Sequence, residues 1–464
     1  MIDATLHPDR LFPADPATRA IARSLFAKVE HMPIVSPHGH TDPTWWGDNP
    51  SFSNAADLFV IPDHYVVRML VSQGVPFEDL GVGAATDPRA VWRRFAAHYH
   101  LFAATPSRLW LDHAFQTVFG LTQRLSETTA DMFYDAIGAA LATEACKPRA
   151  LYDRFGIEAI ATTDSALDDL AHHRAVRDSD WSGRVVPTYR PDACVDPEFD
   201  GFTDNLARLG EITGCDTTTW AGYLDAHRAR RACFIELGAT ATDHGHPTAA
   251  TLDLPQDEAA ALFARVSRNA GAPGDAEAFR AQMLTEMARM SVDDGLVMQL
   301  HAGSSRNHSD MVHARYGRDR GFDIPARTDF TGGLRPLLNA VGMDSRLTLI
   351  LFTLDESTYA RELAPLAGAY PCLRLGPPWW FHDSYEGMLR FRERVTETAG
   401  FANTAGFNDD TRALCSIPAR HDVARRVDCA FLAQQVVTHR LSEEEAHALI
   451  PDLTTGLAKK AYNL

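Results

Sequence analysis

No two cysteines of the 464-residue chain stand in a C-x-x-C pair. The seven present (Cys146, Cys194, Cys215, Cys233, Cys372, Cys415 and Cys429) are odd in number and dispersed. That pattern reads as reduced thiols and excludes a disulfide framework or a zinc knuckle. Long apolar runs are also missing, and the longest, around LTLILFTL, is far too short to span a bilayer. The first twenty residues, MIDATLHPDRLFPADPATRA, are polar and broken by prolines, which is not the form of a signal peptide. No G-x-G-x-x-G follows the first candidate strand, and no nucleophile elbow, Walker loop or H-E-x-x-H occurs. Covalent and phosphoryl-transfer chemistry therefore have no support. Positive charge is scarce, with 44 Lys and Arg against 61 Asp and Glu, a net charge of −17. A general affinity for nucleic acid or anionic membrane is thereby excluded. An anionic substrate would need clustered arginines, a metal or helix N-termini to overcome that field. The expectation is a cytoplasmic protein with no nucleic-acid or membrane partner.

What is present is an ordinary globular composition, 45% hydrophobic and 23% charged, long enough for a large core. In DPATRAIARSLFAKVE, Asp15 reads as an N-cap and Pro16 as the first helical residue, with Ile21, Leu25 and Val29 forming an apolar stripe. Short apolar runs follow at 33–40, 158–164, 184–192, 232–239, 296–303, 346–355, 372–383 and 401–410. Helical patterns such as DNLARLGEITG, DAEAFRAQMLTEMARMSV and YEGMLRFRERVTETAG separate most of them. Such alternation predicts a parallel sheet, and eight units predict an α/β fold of the (β/α)8 TIM-barrel type, in preference to a doubly wound open sheet. Between the first two strands the pattern is helical, which predicts a large helical insertion after strand one, set over the C-terminal mouth of the barrel. The expected organisation is residues 1–42 for the N-terminal helix and strand one, 43–150 for the insertion or cap, and 151–464 for the rest of the barrel and the C-terminal helices, one of which opens with Ser442 and Glu445 as a capping box.

The polar residues at the strand ends converge in such a barrel. In PIVSPHGHTD, His38 and His40 occupy alternate positions of a strand and so aim the same way. With an acid from the far end of the chain, Asp409 or Asp410 in NDDTR, they make a candidate site for a divalent metal such as zinc. Thr163 and Asp164 end strand two, Tyr189 and Arg190 strand three, and His301 strand five, with Arg306 just beyond. Asp243 and His244 follow the candidate fourth strand, and Arg412 follows the eighth. Arginines at one rim suit a carboxylate. Trp379, Trp380 and Phe381 read either as core packing or as a sugar-facing wall. His64, Tyr65 and Arg68 sit on a helix of the insertion and reach the mouth only if that cap folds over it.

These motifs together resemble the uronate isomerases, a divergent branch of the amidohydrolase superfamily. The resemblance rests on PIVSPHGHTD, DHYVVRMLVSQGV, GIEAIATTDSALDDLAHHRAV, PTYRPD, QLHAGSSRN, WWFHDSYEGMLR and NDDTRALCSIPARHDVARR, and runs over nearly the whole length. It implies the barrel with an extra helical region. It also implies interconversion of D-glucuronate with D-fructuronate, and of D-galacturonate with D-tagaturonate, in carbohydrate catabolism. His38 and His40 then match the strand-one metal ligands and Asp410 the strand-eight carboxylate. Tyr65 and Arg412 fall beside the reacting carbons, while His64, Arg190, His301, Arg306 and Trp380 match positions lining the sugar-acid pocket. Two departures stand out: Ser36-Pro37 precedes the histidines where the superfamily often has an acid, and strand six lacks the histidine that two-metal relatives use. At most one divalent metal, zinc by preference, is expected.

Aldose–ketose isomerisation moves a proton between C2 and C1 through an enediol, and needs a base, electrophiles on the developing oxyanion and exclusion of water. Either Tyr65 or Asp410 could be the base. A tyrosine serves only if a neighbouring cation such as Arg412 or Arg68 lowers its pKa. The resemblance implies a small-molecule uronate as partner, and a homo-oligomer is expected. The alternatives are a metal-dependent hydrolase of the same superfamily acting on a lactone or amide, and a catalytically silent sugar-acid sensor.

Overall fold

A computed structural model describes residues 3–464. Helix Pro16–Val29 begins at an Asp15 side chain that accepts from the Thr18 amide, as the sequence predicts, and buries Ala22, Leu25 and Val29. It delivers the chain into strand one, Ile34–Ser36. Strand two is Ile157–Ala161, prolonged after a kink by Asp164–Ser165. Strand three is Val185–Val186, likewise prolonged by Tyr189–Arg190. Strands four to seven are Ala241–His246, Val297–Ala302, Leu349–Thr353 and Leu373–Leu375. All of these pair in parallel, in sequence order. The eighth segment is extended. It meets strand seven through Leu375 N to Asn403 O and Ala405 N to Leu375 O. It meets the end of strand one through Asp410 N to His38 O and His40 N to Thr411 O. Those bonds close the ring, so the fold is a (β/α)8 barrel rather than an open sheet.

One strand lies elsewhere than the sequence predicts. ACFIELGA, 232–239, falls largely in the last turns of helix Trp220–Glu236, and strand four is the more polar ATDHGH that follows. Buried Tyr223, Ala226, His227, Arg230, Arg231 and Phe234 continue a helical face through the apolar run. Asp243 and His244, placed after strand four by the sequence, are therefore within it. Alternation sends Ala241 and Asp243 into the barrel, while His244 faces the helical layer.

The barrel interior is closed from below by Ala241, Val297, Ile350, Phe352 and Tyr462. The Tyr462 hydroxyl, on helix Leu457–Tyr462, donates to Gln299 Oε1 at 2.9 Å. Strands five to seven pack outward on one large apolar cluster with their helices. Between strands one and two run helices Pro43–Gly47, Ala55–Phe59, His64–Ser72, Pro88–Ala97, Pro106–Thr117, Ala130–Leu141 and Pro148–Arg154. Three of them start Asp-Pro or Thr-Pro, the side chain capping the helix and proline supplying a pre-set φ where no amide is needed. Their core merges with Ile34, Ile157 and Val185 of the barrel.

Candidate active site

A cavity of about 720 Å³ opens at the C-terminal ends of the strands, lined by His38, His40, His64, Tyr65, Arg190, His301, Arg306, Trp380, Asp410 and Arg412, whereas Arg68, Asp164, His244 and Asp409 lie outside the lining. At its floor, Asp410 Oδ1 lies 3.4 Å from His38 Nε2 and 3.1 Å from His40 Nε2. Asp410 has φ of +39°, a conformation unfavourable for a side chain with Cβ, held here by the closing bonds of the barrel. Burial opposes its charge, but the two imidazoles hold its carboxyl well below the usual range. The same burial depresses His40, while the Asp410 charge overcomes it at His38 and raises that imidazole. Asp409 is buried, turned away, and accepts from His421 Nε2 at 3.1 Å. Geometry therefore groups Asp410, and not Asp409, with the two histidines.

These three residues offer two nitrogens and one oxygen within 4.8 Å of one another, a donor set that suits a divalent ion. His38 Nδ1 is buried without a partner among the described residues. The charge of the lining favours a cation too. Asp42, Asp57, Asp63, Asp192, Asp196, Asp243, Asp319 and Asp410 outnumber Arg190, Arg306, Arg318, Arg412 and Arg420. The residues present fit a divalent metal.

Beside the floor, His301 Nδ1 stands 2.6 Å from Asp243 Oδ1, and its ring stacks on Phe352 and His38 at 4.0 and 4.7 Å between centroids. Burial depresses the His301 pKa against the pull of Asp243. A neutral ring with Nδ1–H on Asp243 leaves Nε2, which has no partner among the described residues, as an acceptor. Asp243 resists its own burial because His301 and Arg190 hold it well below the usual range. Arg190 Nε binds Asp192 at 2.9 Å and Nη1 reaches Asp243 at 3.5 Å. The guanidinium lies flat on strand four because residue 245 is glycine; a Cβ there would fall 2.7 Å from Arg190 Nη2. Arg190 thus lines the cavity with two nitrogens already engaged.

The roof comes from the insertion and from the loops after strands five and seven. Asp63 caps helix His64–Ser72 and presents its first turn to the cavity. Burial pushes the Tyr65 hydroxyl well above its usual range, with Arg420 opposing. Burial, reinforced by Arg412, takes His64 down to about 3. Its neutral Nε2 accepts from Trp380 Nε1 at 3.0 Å. Trp380 has φ of +54° and stacks on Trp379 at 5.1 Å, so the tryptophan pair forms a cavity wall. Phe381 is outside the lining, as is Tyr189, whose hydroxyl lies 2.6 Å from His227 Nδ1. Arg306 sits 5.5 Å over the Trp380 ring and 3.5 Å from Asp323, and Arg412 lies 3.2 Å from Asp319.

Sequence reasoning missed Asp319, Asp192 and Arg420. Asp192 did carry a signal, standing two residues after Arg190. Arg420 stacks 3.5 Å over Trp110, pairs with Asp383, and donates to Asp409 O at 3.2 Å, carrying the long helix Ile417–Val437 to the cavity. Strand six contributes buried apolar residues and no histidine, as expected.

Comparison with known proteins agrees with this geometry. The family model described as glucuronate isomerase matches residues 16–461. A uronate isomerase of Mesorhizobium japonicum is 62% identical over 467 residues, spanning 99% of this chain and 100% of the relative. The crystal structure of glucuronate isomerase from Caulobacter crescentus superposes with a TM-score of 0.98 at 58% identity, covering 100% of this chain and 98% of the other. A uronate isomerase from Thermotoga maritima keeps a TM-score of 0.92 at 26% identity, with 98% and 99% covered. With a match of this extent, barrel, helical insertion and cavity included, the chain belongs to the uronate isomerase family.

Proposed function

We propose that this enzyme interconverts D-glucuronate with D-fructuronate, and D-galacturonate with D-tagaturonate, by proton transfer through an enediol. One observation carries the reading: a carboxylate bound through Oδ1 to His38 and His40 at the floor of a cavity whose rim holds Arg306 and Arg412. Asp410 Oδ2 remains to take the C2 proton and return it to C1. Tyr65 is the poorer base, because burial keeps its hydroxyl protonated; it donates to the developing oxyanion. His301 Nε2 takes the proton of the O2 hydroxyl and returns it to O1, with Asp243 fixing the ring. Arg306 and Arg412 meet the anionic oxygens of the substrate, while Arg190 steadies Asp243 and adds its remaining donors. His64 and Trp380, joined by their hydrogen bond, cover the sugar and exclude water.

His38, His40 and Asp410 hold one divalent metal in this reading, zinc by its nitrogen and oxygen donors, which when bound polarises the sugar carbonyl. Metal analysis after dialysis is expected to give about one ion per chain, and His38→Asn with His40→Asn should abolish it. The hydrolase alternative is not favoured, since the full-length match is to isomerases. Among the described residues no helix is long and apolar enough to cross a membrane. The reading places the enzyme in the cytoplasm as a homo-oligomer, with Met311 and Met343 as exposed apolar side chains available to an interface.

The test is proton NMR of the purified protein with each uronate in D2O. Ketose signals are expected from both sugars. Unchanged spectra with added zinc or manganese would remove the isomerase reading.

A further inference from the structure

The loop after helix Asp310–Tyr316 crosses the cavity mouth with positive φ at Gly317, Asp319 and Gly321. Gly321 is pressed against the helix that bears His64 and Tyr65: a Cβ would lie 2.6 Å from Arg68 Cβ and 2.9 Å from the His64 carbonyl. The loop is also tied by Arg318 to Asp200 at 3.2 Å and by the Phe322 carbonyl, which accepts from the His308 amide. These ties place a non-glycine residue, Asp319, in the left-handed region with its side chain lining the cavity. Among the described residues its carboxylate has one partner, Arg412 Nη2 at 3.2 Å, in a half-exposed pair. Its surroundings are nevertheless cationic. Burial acts to raise its pKa, but Arg412 and Arg306 keep it below the ordinary value.

We propose that Asp319 is an internal occupant of the anion subsite, its carboxylate holding Arg412 and facing Arg306 until the carboxylate of the substrate displaces it. This rests on the uronate reading, and makes Asp319 a specificity-determining residue for that reaction. Two features support it. A single-point, half-exposed ion pair is weak, so a ligand that can accept bidentately from guanidinium groups outcompetes it. The left-handed φ of Asp319 also adds a backbone cost to holding the pair in this position. Neutral sugars gain no such exchange, since breaking the pair without offering a carboxylate leaves both arginines uncompensated.

Steady-state kinetics of Asp319→Asn and Asp319→Glu test this, with D-glucuronate as substrate and D-glucarate, a non-isomerisable dicarboxylate, as competitor. D319N is expected to lower the KM for D-glucuronate and the inhibition constant for D-glucarate together, each by about fivefold or more. D319E, which keeps the charge, should stay within about twofold of the wild type. Asp200→Asn, loosening the loop from its far side, should leave both constants unchanged. A D319N protein with unaltered melting temperature and an unchanged or higher KM would overturn the proposal, since Asp319 would then be a scaffold or a substrate contact. If the wild type turns over neither uronate, the functional reading fails. D-glucarate binding to wild type and D319N by calorimetry then still decides whether Asp319 competes with carboxylates.

Discussion

At the scale of the residue, the site divides labour within single side chains. Asp410 sets Oδ1 against the two imidazoles, and in the proposed mechanism Oδ2 serves as the base. Asp410→Asn removes the base in the proposed mechanism and should lower kcat by about 10³. Tyr65→Phe, removing a donor that burial keeps protonated, should lower kcat by about ten- to a hundredfold. It should also leave the pH profile unmoved between about pH 6 and 9. An acidic limb, activity rising toward high pH, that disappears in Tyr65→Phe would instead make the tyrosine the base. His64, pushed down to about 3, stays neutral over that range, so its bond to Trp380 does not titrate with activity.

At the scale of the element, two buried arrangements hold barrel and helices together. The first is Thr162 at the kink of strand two, its hydroxyl 2.7 Å from Asp164 Oδ2 and 2.8 Å from His173 Nε2. Burial raises Asp164 to about 7 and lowers His173 to about 4. Between pH 4 and 7 the unfolded chain has lost the Asp164 proton while the folded one keeps it, so this group costs stability as pH rises. His173 does the reverse: below its usual pKa the unfolded chain gains a proton that the folded one refuses, so stability falls as pH falls. Asp164→Asn should therefore gain on the wild type as pH rises through that window, by at most about 1.4 kcal/mol per pH unit in urea melts. His173→Gln should lose ground over the same interval. The second is the Arg392–Asp428 pair, two buried bonds of 2.6 and 3.0 Å joining helices Tyr385–Ala399 and Ile417–Val437. Asp428→Ala leaves a buried guanidinium unpaired and should cost about 3 kcal/mol or more, whereas replacing both partners by apolar residues should recover most of it. The helix starting at Asp15-Pro16 and the position of strand one were legible because a cap and a short apolar run are local signals, but the strand ends at Ser36, and His38 and His40, expected on it, lie just beyond. Strand four was misplaced for an equally physical reason. Its inward residues are polar because they build the cavity, while the neighbouring helix end is apolar on the face it buries. Asp319 and Arg420 were invisible because only folding brings positions so far apart in the chain to one mouth.

At the scale of the whole molecule, a protein of net charge −17 must draw in an anion. Locally, guanidiniums within contact distance of the substrate are little screened by salt, whereas the summed field of the distant carboxylates is strongly screened. The Debye length falls from about 30 Å near 10 mM salt to about 8 Å near 150 mM, roughly from the breadth of a domain to that of the cavity mouth. Adding salt should thus remove repulsion faster than it weakens the contacts of Arg306 and Arg412. The KM for D-glucuronate is expected to fall by about two- to threefold over that range, with kcat unchanged. Competitive binding of a neutral sugar of the same size should show no such trend. A KM that instead rises with salt would mean that the rim arginines, and any cation held by His38, His40 and Asp410, already dominate the potential out to the distance from which the substrate arrives. Attraction of the substrate would then be a property of the site, with the acidic surface playing no part in it.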